Sequence, residues 1–178
     1  MVIFLQDPGR ADRIRLGRPD RSAGVATDPP KFHIAQVNVA RLLAPLDDPR
    51  IAGFVERLDA VNAEAEGSEG FVWRLTSDGG GASSYLRPFE DDRLLINISV
   101  WTSIESLHRF VYRADGHATA FRARRNWFAP ITTPVAMWWI EAGQVPSIED
   151  AKARLELLER SGPTPAAFTF KTRFPAPA

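Results

Sequence analysis

Two side chains in one short stretch of this sequence could move a proton and hold an anion: His117 and Arg124. Histidine titrates near neutral pH, and the planar fork of arginine fits a carboxylate or a phenolate. His117, Phe121, Arg124 and Phe128 are spaced so that on a helix they share a stripe roughly 60° wide. Arg125 and Trp127 flank that stripe. A cationic patch lined by aromatic rings suits an anionic or planar ligand. The plainer alternative is that Arg124 lies along the phenylalanines with its head in water and that His117 caps a break in the helix. The residues alone leave both open.

The stretch that must position these side chains runs from Trp101 to Phe128. Thr102 and Glu105 have the spacing of a capping box. Ile104, Leu107, His108 and Val111 then follow at helical spacing and share one face. On that face His108 reads as a core histidine. Gly116 marks a break, and Asp115 can cap a second helical half that carries the stripe.

The flanking elements are legible from alternation and caps. Phe32 to Val39 reads as a first strand, with Phe32, Ile34, Gln36 and Asn38 on one face. Asp48-Pro49 opens a helix whose inner stripe is Ile51, Phe54, Val55, Leu58, Asn62 and Ala65, and Gly67 ends it. Asn62 within that stripe reads as a hydrogen bond to a neighbouring loop. Gly70 to Thr76 is a second strand. The Gly-rich loop after Asp78 lacks the lysine and the strand–helix setting of a phosphate loop. Leu94 to Trp101 is a third strand, with Leu95, Asn97, Ser99 and Trp101 on one face and Leu94, Ile96, Ile98 and Val100 on the other. Pro134 to Glu141 is a fourth strand. Ser147 caps a last helix with Ile148, Ala151, Leu155 and Leu158 facing the core, Gly162-Pro163 stops it, and Ala167 to Lys171 gives a short last strand.

Composition bounds the function classes. Lys plus Arg and Asp plus Glu are 22 each, so the formal net charge is zero, which argues against nucleic-acid or anionic-membrane partners. Cysteine is absent, and the three histidines (His33, His108 and His117) form no HExxH pair, so thiolate chemistry and a protein-built zinc site are not expected. No apolar run reaches the length of a bilayer span, and MVIFL followed by Gln6-Asp7-Pro8 is no secretory signal. A cytoplasmic protein is the expectation. Residues 1–30, with Arg10, Arg13, Arg15, Arg18 and Arg21 among Asp, Gly and Pro, read as a flexible extension. Residues 31–174 form one domain, with 175–178 as a tail.

The element order is strand, helix, strand, strand, helix, strand, then a helix and a strand. This is an α+β chain of ferredoxin-like, split βαβ pattern, an antiparallel sheet with a C-terminal helix and strand. Helices would cover the apolar strand faces. The mixed faces, with Gln36, Asn38, Asn97, Ser99 and Trp101, would then lie bare and meet the same face of a second copy, enclosing a ligand cavity in a homodimer. Asn38, Asn97 and Trp101 are candidate ligand-binding residues on that face.

The segments GFVWRL (70–75), VWTSIESLHRFVY (100–112), H…F.ARRNWF (117–128), WWIEAGQVPSIEDAKARLELL (138–158) and GPTPAAFTF (162–170) resemble a bacterial family of unknown function, domain-of-unknown-function family 3291. The chain carries Gln144 where that resemblance leads us to expect a histidine after the glycine. The family is placed among dimeric alpha-beta barrels, whose members include cofactor-independent monooxygenases, haem enzymes and isomerase-like barrels. What this implies is a small-molecule protein, monooxygenase-like, that oxidises or isomerises an aromatic or quinone-type substrate without a cofactor. His117 would be its acid or base, with Arg124 or Arg125 holding an anion and Asn38, Asn97, Trp101 and Trp127 around the ligand. Haem held by His117 is a further option. The alternatives are a ligand-binding module without catalysis and a structural dimer module.

Overall fold

The computed structural model describes residues 30–113 and 124–178. The N-terminal extension therefore lies outside the described residues, as do Asp115, Gly116, His117, Phe121 and the side chain of Arg124.

Strand β1 spans Phe32–Leu42. Asp48 then caps a 3-10 turn, Pro49–Ile51, by accepting the Arg50 backbone N–H at 2.9 Å. The Arg50 guanidinium bonds the same carboxylate, and these bonds hold the Asp48 carboxyl down at about 2. The turn runs into helix α1, Ala52–Val55, and helix α2, Leu58–Glu66. Of the predicted stripe, Ile51, Phe54, Leu58, Asn62 and Ala65 are buried and Val55 is half-buried, and Gly67 is the C-cap. Strands β2, Phe71–Arg74, and β3, Leu94–Trp101, follow. Helix α3, Ile104–Arg113, then leads to the short strand β4, Phe128–Ala129, and to β5, Val135–Glu141. Helix α4, Ile148–Ser161, closes the sequence of elements. Its capping box joins Ser147 to Asp150.

Among the described residues the sheet runs β2-β3-β1, with β4 and β5 both pairing the free side of β1. All the pairs are antiparallel. Taking β5 as the fourth long strand, this is the ferredoxin-like order, so the predicted fold class stands on strand order alone.

Several expectations need correction. The capping box of α3 joins Ser103 and Ser106, not Thr102 and Glu105: Ser106 N–H donates to Ser103 Oγ at 3.1 Å, and Ser103 N–H reaches Ser106 Oγ at 3.3 Å. Thr102 is held elsewhere, its N–H donating to the Gly70 carbonyl at 2.8 Å. The expected helical stripe does not run to Phe128. Arg124–Asn126 is a 3-10 turn and Phe128 is a strand residue. The expected last strand is a single bridge, in which Phe168 and Met137 exchange backbone bonds of 2.8 and 2.9 Å.

The largest correction concerns the faces of the sheet. The apolar face (Ala35, Val37, Val39, Ile96, Ile98, Val100, Ala136 and Trp138) packs on Ala151 and Leu158 of α4 and on Phe89 of the loop before β3. The mixed face is not bare. It lies under α1, α2, α3 and the C-terminal segment, buried within one copy of the chain. The sheet therefore has helices on both sides, and α4 takes the face that the sequence reading gave to the first two helices.

Candidate functional site

On the mixed face each central strand reads apolar, polar, polar, apolar. β1 gives Ile34, Gln36, Asn38 and Ala40, and β3 gives Trp101, Ser99, Asn97 and Leu95. The register sets Gln36 opposite Ser99 and Asn38 opposite Asn97. The four polar side chains thus form one strip between two apolar clusters. One cluster contains Ile34, Trp101, Leu107, Phe110, Met137 and Phe168. The other contains Ala40, Leu42, Phe54, Leu58, Leu95 and Phe128. Helix α2 crosses between them, with Leu58 in one and Ala65 in the other. Asn62, on the same helical stripe and 4% exposed, stands at the level of the strip.

The strip is closed and uncharged. Gln36 and Asn38 have no exposed surface, and Asn97 and Ser99 are 4% and 2% exposed. An indole can only donate, and this fixes the polarity of the hydrogen bonds. Trp101 Nε1–H donates to Ser99 Oγ at 3.0 Å. The hydroxyl then donates to Gln36 Oε1 at 3.2 Å, and Gln36 Nε2 donates to Asn38 Oδ1 at 3.1 Å. Every donor points the same way, from Trp101 toward Asn38. Asn97 stands beside the end of this relay, and its buried Oδ1 has no hydrogen-bond partner among the described residues. An unpaired buried acceptor costs about 1–3 kcal/mol, so the fold gives up stability at this atom.

Of the predicted ligand-binding residues, the structure brings Asn38, Asn97 and Trp101 together. Trp127 belongs to the neighbouring apolar cluster. Its ring lies 6.1 Å from that of Phe54, under the Arg57 guanidinium at 5.4 Å, and 3.4 Å from where a Cβ on Gly53 would sit. Phe128 stands edge-on to Phe54 at 5.1 Å. Arg125 is exposed. His117 lies outside the described residues. His108 is half-buried, not in the core, 4.4 Å from the Tyr112 ring and 5.6 Å from Phe170. Gln36, Ser99 and Asn62 belong to the strip or to its cover, although the candidate set omits them. The signal for Asn62 was present, because an amide in an otherwise apolar helical stripe must find a polar neighbour.

The strip can bind and orient. It offers amide, hydroxyl and indole groups of fixed polarity between apolar walls, and Asn97 Oδ1 would accept from an O–H or N–H. No acid or base lies within it. Groups of three or more His, Cys, Asp or Glu that could hold a metal are absent among the described residues. No helix among them is long and apolar enough to cross a membrane.

Comparison with solved structures finds distant likenesses. SnoaB, a cofactor-independent oxygenase from Streptomyces nogalater, matches with a TM-score of 0.42 at 19% identity, over 64% of this chain and 95% of that one. A conserved protein from Methanosarcina mazei Go1 matches with a TM-score of 0.44 at 13% identity, over 64% and 95%. PA3566 from Pseudomonas aeruginosa matches with a TM-score of 0.42 at 12% identity, over 66% and 98%. Scores this low carry no argument about activity, and the fold rests on the strand order above. No curated protein matches the chain. The family model described as "Domain of unknown function (DUF3291)" covers residues 33–178, most of the sequence, and the chain belongs to that family.

Proposed function

We propose that this is a small-molecule-binding protein whose ligand lies against the Gln36–Asn38–Asn97–Ser99–Trp101 strip. The observation that carries the reading is the buried Asn97 Oδ1, unpaired among the described residues, beside a relay whose members Trp101, Ser99, Gln36 and Asn38 are hydrogen-bonded in turn. A buried acceptor of this kind calls for a partner, and a ligand O–H or N–H would supply one. The walls suit an aromatic ligand, and the free acceptor suits one bearing a hydroxyl or N–H. A hydroxylated aromatic, such as a naphthol or a reduced quinone, meets both demands. The reading uses no cofactor.

A catalytic version, oxidising or isomerising such a ligand, adds His117 as acid or base and Arg124 as anion holder. It stands on the sequence reading alone. Replacement of His117 by alanine tests it through turnover at unchanged binding.

The binding claim is tested by thermal unfolding with 1-naphthol, 1,4-naphthohydroquinone and 1,4-naphthoquinone. Ligand at about 100 times its Kd adds about 2.7 kcal/mol of stability, a readable shift in Tm. The hydroxylated compounds are expected to raise Tm for the natural chain and not for Asn97→Leu. Equal shifts for both proteins, or none for either, contradict the reading.

A further inference from the structure

Asn38 and Asn97 stand directly opposite each other in the β1–β3 register. Opposed side chains of an antiparallel pair have Cβ atoms about 4.5–5.5 Å apart, close enough for two asparagines to bond. Asn38 carries an amide donor and Asn97 a buried carbonyl oxygen, so a bond between them would relieve the buried acceptor. That bond is not made: Asn97 Oδ1 has no partner among the described residues.

The relay gives the reason. Trp101 Nε1 can only donate, and it donates to Ser99 Oγ at 3.0 Å. The hydroxyl proton goes to Gln36 Oε1 at 3.2 Å, so the Gln36 amide turns its oxygen to Ser99 and its nitrogen to Asn38. Gln36 has no exposed surface, and its Nε2 therefore needs an acceptor within the protein. That acceptor is Asn38 Oδ1, at 3.1 Å. The Asn38 amide is planar, with oxygen and nitrogen on opposite sides of Cγ. Holding its oxygen toward Gln36 fixes where its nitrogen points, and in that orientation the nitrogen does not reach Asn97 Oδ1. To reach it the amide would have to turn, and the buried Gln36 Nε2 would lose its acceptor.

We propose that Gln36 is a positioning residue: it holds the Asn38 amide turned away from Asn97, and so keeps Asn97 Oδ1 open for the O–H or N–H of a ligand. The proposal rests on the strip being a binding site. Ser99 and Trp101 act through Gln36, by fixing which end of its amide meets Asn38. Gln36 itself needs no contact with the ligand.

The test is a double-substitution cycle, read by urea unfolding of the full chain without ligand. In the natural background Asn97→Leu removes an oxygen that has no partner among the described residues. Gln36→Met keeps the length of the side chain and removes both polar atoms, which frees Asn38 to donate to Asn97. In that background Asn97→Leu should lower the folding equilibrium constant about fivefold more than it does in the natural chain, the worth of one net hydrogen bond. An equal effect in both backgrounds overturns the proposal. A second readout uses the natural chain alone, and serves if Gln36→Met does not fold. A carbonyl carbon that accepts a hydrogen bond resonates downfield of one that does not. The side-chain carbonyl carbon of Asn97 should lie upfield of that of Asn38, and the reverse order overturns the proposal. With ligand, Gln36→Met should lose the naphthol shift in Tm. A shift kept in Gln36→Met keeps the site and overturns the role of Gln36. A coupled cycle with no naphthol shift in the natural chain keeps that role and overturns the site.

Discussion

Ser99 stands where one hydroxyl must accept from an indole and donate to an amide. Removing it leaves Trp101 Nε1 and Gln36 Oε1 buried without partners, at about 1–3 kcal/mol each. Ser99→Ala is therefore expected to cost about 2–4 kcal/mol in urea unfolding. A cost under about 1 kcal/mol would mean that the relay is loosely made. Asn97 differs in kind: its Oδ1 has no partner among the described residues, so its replacement by leucine should not carry the cost expected at Ser99. The sequence pointed to Asn38, Asn97 and Trp101, because alternation places them on one face. It did not single out Gln36 or Ser99. A glutamine or serine in a strand looks the same whether it faces water or closes a buried relay, and only the register with the opposite strand separates the two. Asp48 was legible as a cap from its Pro49 neighbour. Its low pKa, about 2, depends on an arginine two residues on that folds back. Held below its usual value near 3.8, that carboxyl contributes stability above the usual value, and the contribution is lost as pH falls through about 2.

At the scale of elements, the start of β2 and the start of α3 meet closely at Gly70. Gly70 has φ of +83°, and a Cβ there would lie 2.6 Å from Thr102 Oγ1 and from Ser106 Cβ. Both the backbone conformation and the space require glycine. Gly70→Ala is expected to cost about 2–3 kcal/mol, read by chemical denaturation, because it strains the backbone and pushes on the α3 cap. A neutral result would show that α3 can shift freely against β2. The predicted capping box was one residue early because Thr102-x-x-Glu105 and Ser103-x-x-Ser106 overlap. The strand's own backbone decided between them: Thr102 N–H is already taken by the Gly70 carbonyl, so the helix starts after Ser103. The stripe through His117 to Phe128 failed at its far end for a related reason. Phe128 pairs with Leu42 in the sheet, a contact far along the chain that helical spacing cannot reveal.

At the scale of the molecule, the strand order was readable because each element carries its own start and stop signals. Which helix covers which face was not. A mixed face looks like the wetter one, and the expectation was that it would meet a second copy. In the structure the C-terminal helix takes the fully apolar face, and the polar strip is enclosed by the chain that makes it. The argument for a dimer through that face therefore no longer holds, and the candidate site is complete in its strand residues within one copy.

The central claim is that the buried Asn97 acceptor in this closed strip serves a ligand and not the fold. The most direct test is the unfolding free energy of Asn97→Leu without ligand. Relief of an unpaired acceptor predicts stability equal to that of the natural chain or up to about 2 kcal/mol above it. A loss of more than about 2 kcal/mol would show that Asn97 holds the core together, and would contradict the account.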